Sequence, residues 1–175
     1  MHHEAVPSAR ADRALERAAQ AVAILRVGVV DVFVVSPRGG AWRVLALQRA
    51  PNATRPRAWE AVHGSIEPGE KPHEAAIREM REETGLTPDR LYNVTAHAFY
   101  LHMRGTVEVA VVFCAFVKGT PRVTVGSEHT KAAWVSRTEA LKRFVWPSAR
   151  ENLNRAYALL KRGNAGPVED VLRVV

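Results

Sequence analysis

The amino-acid sequence predicts a single domain of the α/β (α+β) class. Its 175 residues suffice for one domain with a sizeable core. Hydrophobic residues make up 47% and charged residues 25% of the chain, as in ordinary globular proteins. Strand-like apolar runs are interspersed with segments of helical pattern, and we find no internal repeat, low-complexity tract or linker. These observations together favour one domain that combines strands and helices.

The first part of the chain is predicted to contain a leader, one helix and several strands. Residues 1–20 would form the leader and the start of an alanine-rich helix, which begins at Ser8 or Asp12 and ends near Leu25. The main domain would then cover residues 21–163. β-Branched and apolar runs predict a strand, its hairpin partner and a short extended piece, at Val27–Val35, Trp42–Gln48 and Trp59–His63, with a turn at Pro37–Gly40.

Local start and stop signals define a central helix. Pro72 suits the first position of this helix, which would end at Thr84, and Gly85 suits the left-handed residue that follows. Apolar runs after the helix predict three further strands, at Asn93–Leu101, Thr106–Val117 and Lys131–Val135.

Two capping boxes predict the last two helices. Each has a serine followed three residues later by a glutamate, and the pairs are Ser136 with Glu139 and Ser148 with Glu151. The first helix would reach about Phe144 and the second about Arg162. Residues 164–175 form a tail in which the pattern is ambiguous.

Composition excludes several classes of protein. No apolar run approaches the roughly 18 residues needed to span a bilayer, and no secretory signal is recognisable, so we expect a cytoplasmic protein without a membrane partner. The single cysteine, Cys114, lies in an apolar run and is expected to be a buried small side chain. The net charge of +7 is spread along the chain, so it predicts no stable nucleic-acid partner.

Three glutamates on the central helix carry the clearest chemical signal. Glu79, Glu82 and Glu83 stand at positions i, i+3 and i+4, which places them on one face of the helix. Like charges at this spacing destabilise a helix by roughly 0.2–0.5 kcal/mol per pair unless a counter-charge is present. Carboxylates are hard oxygen ligands, so the spacing favours a bound divalent cation such as Mg²⁺.

The segment from Gly64 to Leu86 resembles the signature of a known family. The Nudix box begins with a glycine, five free residues and a glutamate. Seven further free residues are followed by Arg-Glu, an apolar residue, one free residue, Glu-Glu, one free residue, a glycine and an apolar residue. This segment fills every specified position of the box. The resemblance implies a mixed β-sheet sandwiched between helices. It also implies attack by water on phosphorus in a nucleoside diphosphate linked to a further group.

The resemblance assigns expected roles to the residues that match the box. The glutamates at 79, 82 and 83 would hold Mg²⁺, with Mn²⁺ as an alternative, and the carbonyl group of Gly64 would often join them. Arg78 would orient the site by pairing with Glu70. Glu82 or Glu83 would also be a candidate to accept the proton of the attacking water.

Stretches outside the box are similar to one branch of the family. This branch contains dihydroneopterin triphosphate pyrophosphatase and related nucleoside triphosphate pyrophosphatases, and the similarity covers about residues 27–160. It implies that Glu128 is a metal ligand or the catalytic base and that Arg49 contacts phosphate. His63 departs from the usual residue before Gly64, so it either touches the substrate or closes the strand.

The expected activity is therefore hydrolysis of a nucleoside or pteridine triphosphate to the monophosphate and pyrophosphate. Another substrate, such as a diadenosine polyphosphate or a nucleotide sugar, is the alternative, and Tyr100 lies where diadenosine polyphosphate hydrolases tend to have a tyrosine. A non-catalytic nucleotide-binding domain is the alternative from a different class. Dimers are common in the family, so a homodimer is one assembly that the resemblance allows.

Overall fold

We describe residues 24–175 of a computed structural model. Most of the predicted N-terminal helix lies outside these residues. Its predicted last turn was wrong, because Ile24 and Leu25 belong to the first strand, where they pair with Thr106 and Val107. The first strand therefore starts earlier than the β-branched run at Val27 indicated.

Seven strands form one mixed sheet. They are β1 (Ile24–Arg38), β2 (Ala41–Arg49), β3 (Trp59–Glu60), β4 (Val62–Ser65), β5 (Arg90–Leu101), β6 (Thr106–Phe116) and β7 (His129–Ser136). The main path through the sheet runs β3-β2-β1-β6-β5, while β4 pairs with β1 and β7 pairs with β2. Strands β1 and β6 are parallel, and the other pairs are antiparallel.

The predicted hairpin between the first two strands is confirmed, with a shorter turn than expected. Arg38 pairs with Ala41, so only Gly39 and Gly40 form the turn. Both glycines have positive φ, at 52° and 79°, which residues with a side chain rarely adopt. The two glycines thus permit a tight connection between β1 and β2.

Four α-helices complete the described part of the chain. They are α1 (Pro72–Thr84), α2 (Arg137–Arg143), α3 (Pro147–Leu160) and α4 (Glu169–Leu172), the last preceded by a 3₁₀ turn at Gly166–Val168. The bounds of α1 and its stop at Gly85 are those predicted. The N-cap at Ser136 is also confirmed, since its Oγ accepts the Glu139 N–H at 3.1 Å.

The capping box expected at Ser148 was wrong. Helix α3 begins at Pro147, with Trp146 as an N-cap whose side chain makes no capping hydrogen bond. Ser148 therefore lies inside the first turn instead of before it. The fixed φ of proline suits the first helical position, and this preference sets the start of α3.

The helices pack on both faces of the sheet, as the resemblance implied. Along β1, Phe33 and Val35 join the cluster that packs against α2 and α3. The alternate residues Val32 and Val34 join the opposite cluster, which contains Met80 of α1. A strand with both faces buried reads as a continuous apolar run, which explains the β-branched segment of the sequence.

The C-terminal residues dock on the edge strand β5. The Tyr92 hydroxyl donates to a Glu169 carboxylate oxygen at 2.8 Å, and Tyr92 forms an isolated bridge with Arg173. The Leu91 N–H donates to the Val175 carbonyl oxygen at 3.1 Å. Among the described residues, no helix has the length and apolar character that a membrane crossing requires.

Candidate active site

Helix α1 has a core side and an acidic side. Ala76, Met80 and Thr84 are fully buried against the sheet. Glu79 and Glu82 lie on the other side, and Glu83 sits at the border, where it is buried. The spacing of the sequence thus places three carboxylates together at the edge of the core.

Strand β4 brings Gly64 against this acidic side. Gly64 pairs with Val30 in β1, and a Cβ added to Gly64 would lie 1.9 Å from the Glu79 carboxyl carbon. Any side chain at this position would therefore collide with Glu79. The absence of a side chain at Gly64 thus leaves the space that the Glu79 carboxylate occupies.

Arg78 holds several carboxylates with one guanidinium group. Its Nε and Nη2 each donate to a Glu70 oxygen at 2.9 Å, so the pair is bidentate. Its Nη1 donates to Glu79 at 2.8 Å and to Glu82 at 3.3 Å, and its Nη2 also reaches the Ser65 carbonyl oxygen at 2.8 Å. The hydrogen bonds from Arg78 are the main reason that the pKa of Glu70 falls to about 2.

The carboxyl group of Glu83 is buried, and only part of its hydrogen-bonding capacity is satisfied. Its Oε2 is buried and has no hydrogen-bond partner among the described residues, while the backbone N–H of His63 donates to the carboxylate. Burial raises the pKa of Glu83 to about 9, and the nearby negative charges of Glu79, Glu60 and Glu128 add to this effect. A positive charge at this point would relieve both causes.

Arg49 lies at the centre of a second polar network. This buried guanidinium donates to Glu60 at 2.7 Å, to Glu128 at 3.2 Å and to Thr54 at 3.3 Å. Glu60 also accepts from His129 at 3.3 Å. Burial alone would raise the pKa of Glu60, but the hydrogen bonds from His129 and Arg49 outweigh burial and keep the pKa below its usual value.

Sequence reasoning missed Glu60 and assigned His129 no specific role. Glu60 is the one charged residue in the extended piece from Trp59 to His63, and a charge inside an apolar strand was the available signal. Both side chains are buried and contact each other. Glu60 also lies close enough to Glu83 for its negative charge to raise the pKa of Glu83.

The remaining predicted site residues lie at the rim of this region. The Glu128 side chain is 65% exposed and contacts the cluster through Arg49. His63 Nδ1 donates to Asp31 at 2.7 Å. Burial opposes a positive charge on His63, but the contact with Asp31 outweighs burial and raises the pKa of the imidazole. The structure therefore brings every predicted site residue to one end of the sheet.

The residues fit a hard divalent cation, although they do not form a complete ligand set as they stand. In residues 24–175, no three His, Cys, Asp or Glu side chains converge as a formed metal site. Arg78 instead holds Glu79 and Glu82. The available ligands are carboxylate oxygens, which Mg²⁺ prefers, and the unpartnered Glu83 oxygen is free to accept a cation.

Three large aromatic side chains lie at the surface of the protein instead of in its core. Phe99, Tyr100 and Trp146 are all exposed, whereas Trp59 and Trp134 are partly buried and pack against the core. Phe99 and Tyr100 lie near the end of β5, which is an edge strand of the sheet formed by residues 24–175. Cys114 is fully buried, as predicted, and burial raises the pKa of its thiol.

The family model described as the NUDIX domain matches residues 25–156. This chain belongs to the NUDIX family. The match covers β1 through most of α3, so it includes both polar networks and every predicted site residue. The structure adds that the glutamates of α1 lie close to a second, buried network around Arg49.

Individual comparisons agree with membership in the NUDIX family. The chain is 35% identical over 131 residues to a protein named octanoyltransferase from Myxococcus xanthus; the match covers 74% of this chain and 36% of that protein. This chain thus spans about a third of the length of that curated relative.

Two solved structures share the NUDIX fold. The Ap4A hydrolase of C. elegans superposes with a TM-score of 0.64 at 22% identity, covering 78% of this chain and 98% of that one. The E. coli dihydroneopterin triphosphate pyrophosphohydrolase superposes with a TM-score of 0.63 at 24% identity, covering 77% and 97%.

Proposed function

We propose that this NUDIX protein hydrolyses a phosphoanhydride bond in a nucleoside or pteridine triphosphate and releases the monophosphate and pyrophosphate. The observation that carries the proposal is the buried Glu83 carboxylate oxygen that has no partner. It lies on the helix face that also presents Glu79 and Glu82, where Gly64 comes close to the helix. A carboxylate that is buried beside other carboxylates is stabilised when a cation binds to it.

The glutamates at 79, 82 and 83, with Gly64, would hold Mg²⁺ or Mn²⁺. When bound, such an ion neutralises the phosphate chain and lowers the pKa of a coordinated water. Arg78 positions two of the glutamates through its donors to Glu79 and Glu82, and its bidentate pair with Glu70 fixes the guanidinium itself.

A carboxylate of the site accepts a proton during the reaction. The oxygen of water forms a bond to phosphorus, the bond to the bridging oxygen breaks, and pyrophosphate leaves. The water proton passes to Glu128 or to one of the helix glutamates. Glu128 suits this role because its side chain is exposed to water yet tied to Arg49.

Arg49 is the proposed contact for the phosphate chain. Its guanidinium is already charged, fixed by Glu60 and directed toward Glu128 and Thr54. A fork of donors suits phosphate oxygens, and fixing it in advance reduces the entropy lost on binding. His63 would line the same end of the sheet beside Gly64.

The likeness in fold to the E. coli dihydroneopterin triphosphate enzyme supports a triphosphate substrate. The likeness to the C. elegans Ap4A hydrolase supports the second candidate, a diadenosine polyphosphate. The two candidates predict different products, since the first releases pyrophosphate and the second releases two nucleotides.

A product assay distinguishes these candidates. The protein is incubated with Mg²⁺ and a panel of nucleoside triphosphates, dihydroneopterin triphosphate, diadenosine tetraphosphate and nucleotide sugars, and the products are separated by chromatography. We expect pyrophosphate and a monophosphate from a triphosphate. Turnover of none of the panel would contradict the proposal, as would turnover that continues in excess EDTA.

Two matched variants test the role of the acidic helix. Glu83→Gln removes the carboxyl group that would hold the cation, with little change in volume, so pyrophosphate release should collapse. Glu67→Gln makes the same chemical change at an exposed position before the helix and should keep wild-type turnover. Full activity of the Glu83 variant would contradict the assignment.

A further inference from the structure

A cavity of about 430 Å³ lies beside the proposed site and has no role in the mechanism above. Its walls are mostly apolar, include two arginines, and come from the loop after β2 and the segment before α3. The lining residues are Arg55, Pro56, Arg57, Ala58, Val145 and Trp146. Ligand sites of small molecules in proteins are mostly apolar cavities of this size with a few polar groups.

The loop that forms one wall is held in a conformation that side chains disfavour. Arg55 and Arg57 have positive φ, at 56° and 62°, in the left-handed region. Hydrogen bonds maintain this conformation, since the Arg57 N–H donates to the Arg49 carbonyl oxygen at 3.2 Å and Gln48 Nε2 donates to the Arg57 carbonyl oxygen at 3.1 Å. The loop is therefore a fixed structure rooted at Arg49.

The opposite wall exposes a tryptophan. Trp146 is 45% exposed, although tryptophan is usually well buried. The Val145 N–H donates to the Trp59 carbonyl oxygen at 3.3 Å, which fixes the segment against β3. The Arg55 guanidinium lies 4.9 Å from the centre of a Trp146 ring, so a planar cation already covers one aromatic face.

The two walls of the cavity adjoin, along the chain, residues that contact Arg49 of the proposed phosphate site. Thr54, next to Arg55, accepts a hydrogen bond from Arg49. Trp59, which holds the Trp146 segment, is followed directly by Glu60, the buried partner of Arg49. On each wall of the cavity, consecutive residues of the chain therefore connect the cavity with the network around Arg49.

We propose that this cavity binds the planar heteroaromatic ring of the substrate, a purine or pterin, by stacking it with Trp146 and Arg55. The proposal rests on the proposed function, because the triphosphate of the same molecule would lie at Arg49 and the acidic helix. A flat ring matches an aromatic face and a planar guanidinium, and both surfaces are held in place before binding. The ring site would contribute affinity without entering the chemical step.

The first test compares Michaelis constants for GTP with Mg²⁺. Trp146→Ala should raise KM about tenfold or more, since stacking on an aromatic side chain contributes to binding on this scale, while kcat changes little. Trp146→Phe keeps an aromatic face and should stay near the wild-type KM. Phe99→Ala is the matched control, because it removes an exposed aromatic from β5, at the opposite edge of the sheet.

An unchanged KM in Trp146→Ala would overturn the proposal, and so would an equal rise in Phe99→Ala. Thermal denaturation of each variant verifies that it is folded. A Trp146→Phe variant as impaired as Trp146→Ala would also overturn stacking as the cause.

A binding measurement separates this inference from the proposed function. Saturation-transfer NMR detects contact between the protein and the ring protons of guanosine monophosphate, which requires no hydrolysis. The signal should be present in the wild-type protein and lost in Trp146→Ala. Loss of the signal together with no turnover of any triphosphate would support the ring site and contradict the proposed function. An equal signal in both proteins would overturn the ring site while leaving hydrolysis unaffected.

Discussion

Glu60→Gln is the substitution whose effect on stability is best defined by the structure. The change removes the negative charge that compensates the buried Arg49 guanidinium, at nearly constant volume. It also replaces the carboxylate that accepts the hydrogen bond from His129 with a neutral, weaker acceptor. Removing one partner of a buried ion pair typically costs about 3–5 kcal/mol, because a buried charge is left without compensation.

The expected cost here is at the lower end of that range. Arg49 keeps its contacts with Glu128 and Thr54, so we expect a loss of about 3 kcal/mol in the free energy of unfolding. For a chain of this size, about 2–4 °C per kcal/mol gives a decrease in Tm of roughly 6–12 °C. Glu128→Gln removes the exposed partner of the same arginine and should cost no more than about 1 kcal/mol.

Thermal and urea denaturation followed by circular dichroism measure this difference. Both variants should be compared without added divalent metal, since metal binding would add its own stabilisation. If Glu60→Gln and Glu128→Gln destabilise the protein equally, the buried network does not hold Arg49 as described. A double-mutant cycle with Arg49→Met would then give the coupling energy directly.

Three further predictions address the site and the core. Gly64→Ala should lower kcat about a hundredfold with a folded protein, because the new Cβ displaces the Glu79 carboxylate; steady-state kinetics and circular dichroism measure both. Arg78→Lys should lower kcat or the affinity for Mg²⁺ about 10–100-fold, because an ammonium group cannot reproduce the bidentate contact with Glu70. Cys114 should not react with a thiol reagent in the native protein, because burial keeps the thiol protonated, and it should react once urea unfolds the chain.

Each of these predictions has a contradicting result. Wild-type kinetics in Gly64→Ala would mean that Glu79 moves without consequence. Wild-type kinetics and metal affinity in Arg78→Lys would mean that positive charge alone is sufficient. Rapid modification of Cys114 under native conditions would mean that the core around β6 opens readily.

Helix α1 could be predicted from the sequence because its signals are local. Pro72 is the first residue of the helix and Gly85 directly follows its last residue, so both ends are marked locally. The spacing of the three glutamates places them on a common face without reference to the rest of the fold. The pairing of Arg78 with Glu70 spans only eight residues and belongs to the same segment. Such features need no knowledge of tertiary structure.

The network around Arg49 could not be derived in this way. Arg49 and Glu128 are separated by 79 positions in the sequence, and Glu60 and His129 are separated by 69 positions. Only the folded sheet brings the members of each pair together. The exposure of Trp146 has the same origin. Its sequence neighbours are apolar, and only the tertiary structure reveals that it lies in the wall of an open cavity.

Binding of Mn²⁺, followed by electron paramagnetic resonance, tests the central claim most directly, because it requires no knowledge of the substrate. The wild-type protein and Glu67→Gln should bind Mn²⁺ equally, and Mg²⁺ should compete with it. Glu83→Gln should lose most of this binding, since the substitution removes a buried carboxyl group whose Oε2 has no partner among residues 24–175. Equal binding of Mn²⁺ by Glu83→Gln and the wild-type protein would contradict the claim that the acidic face of α1 holds the cation.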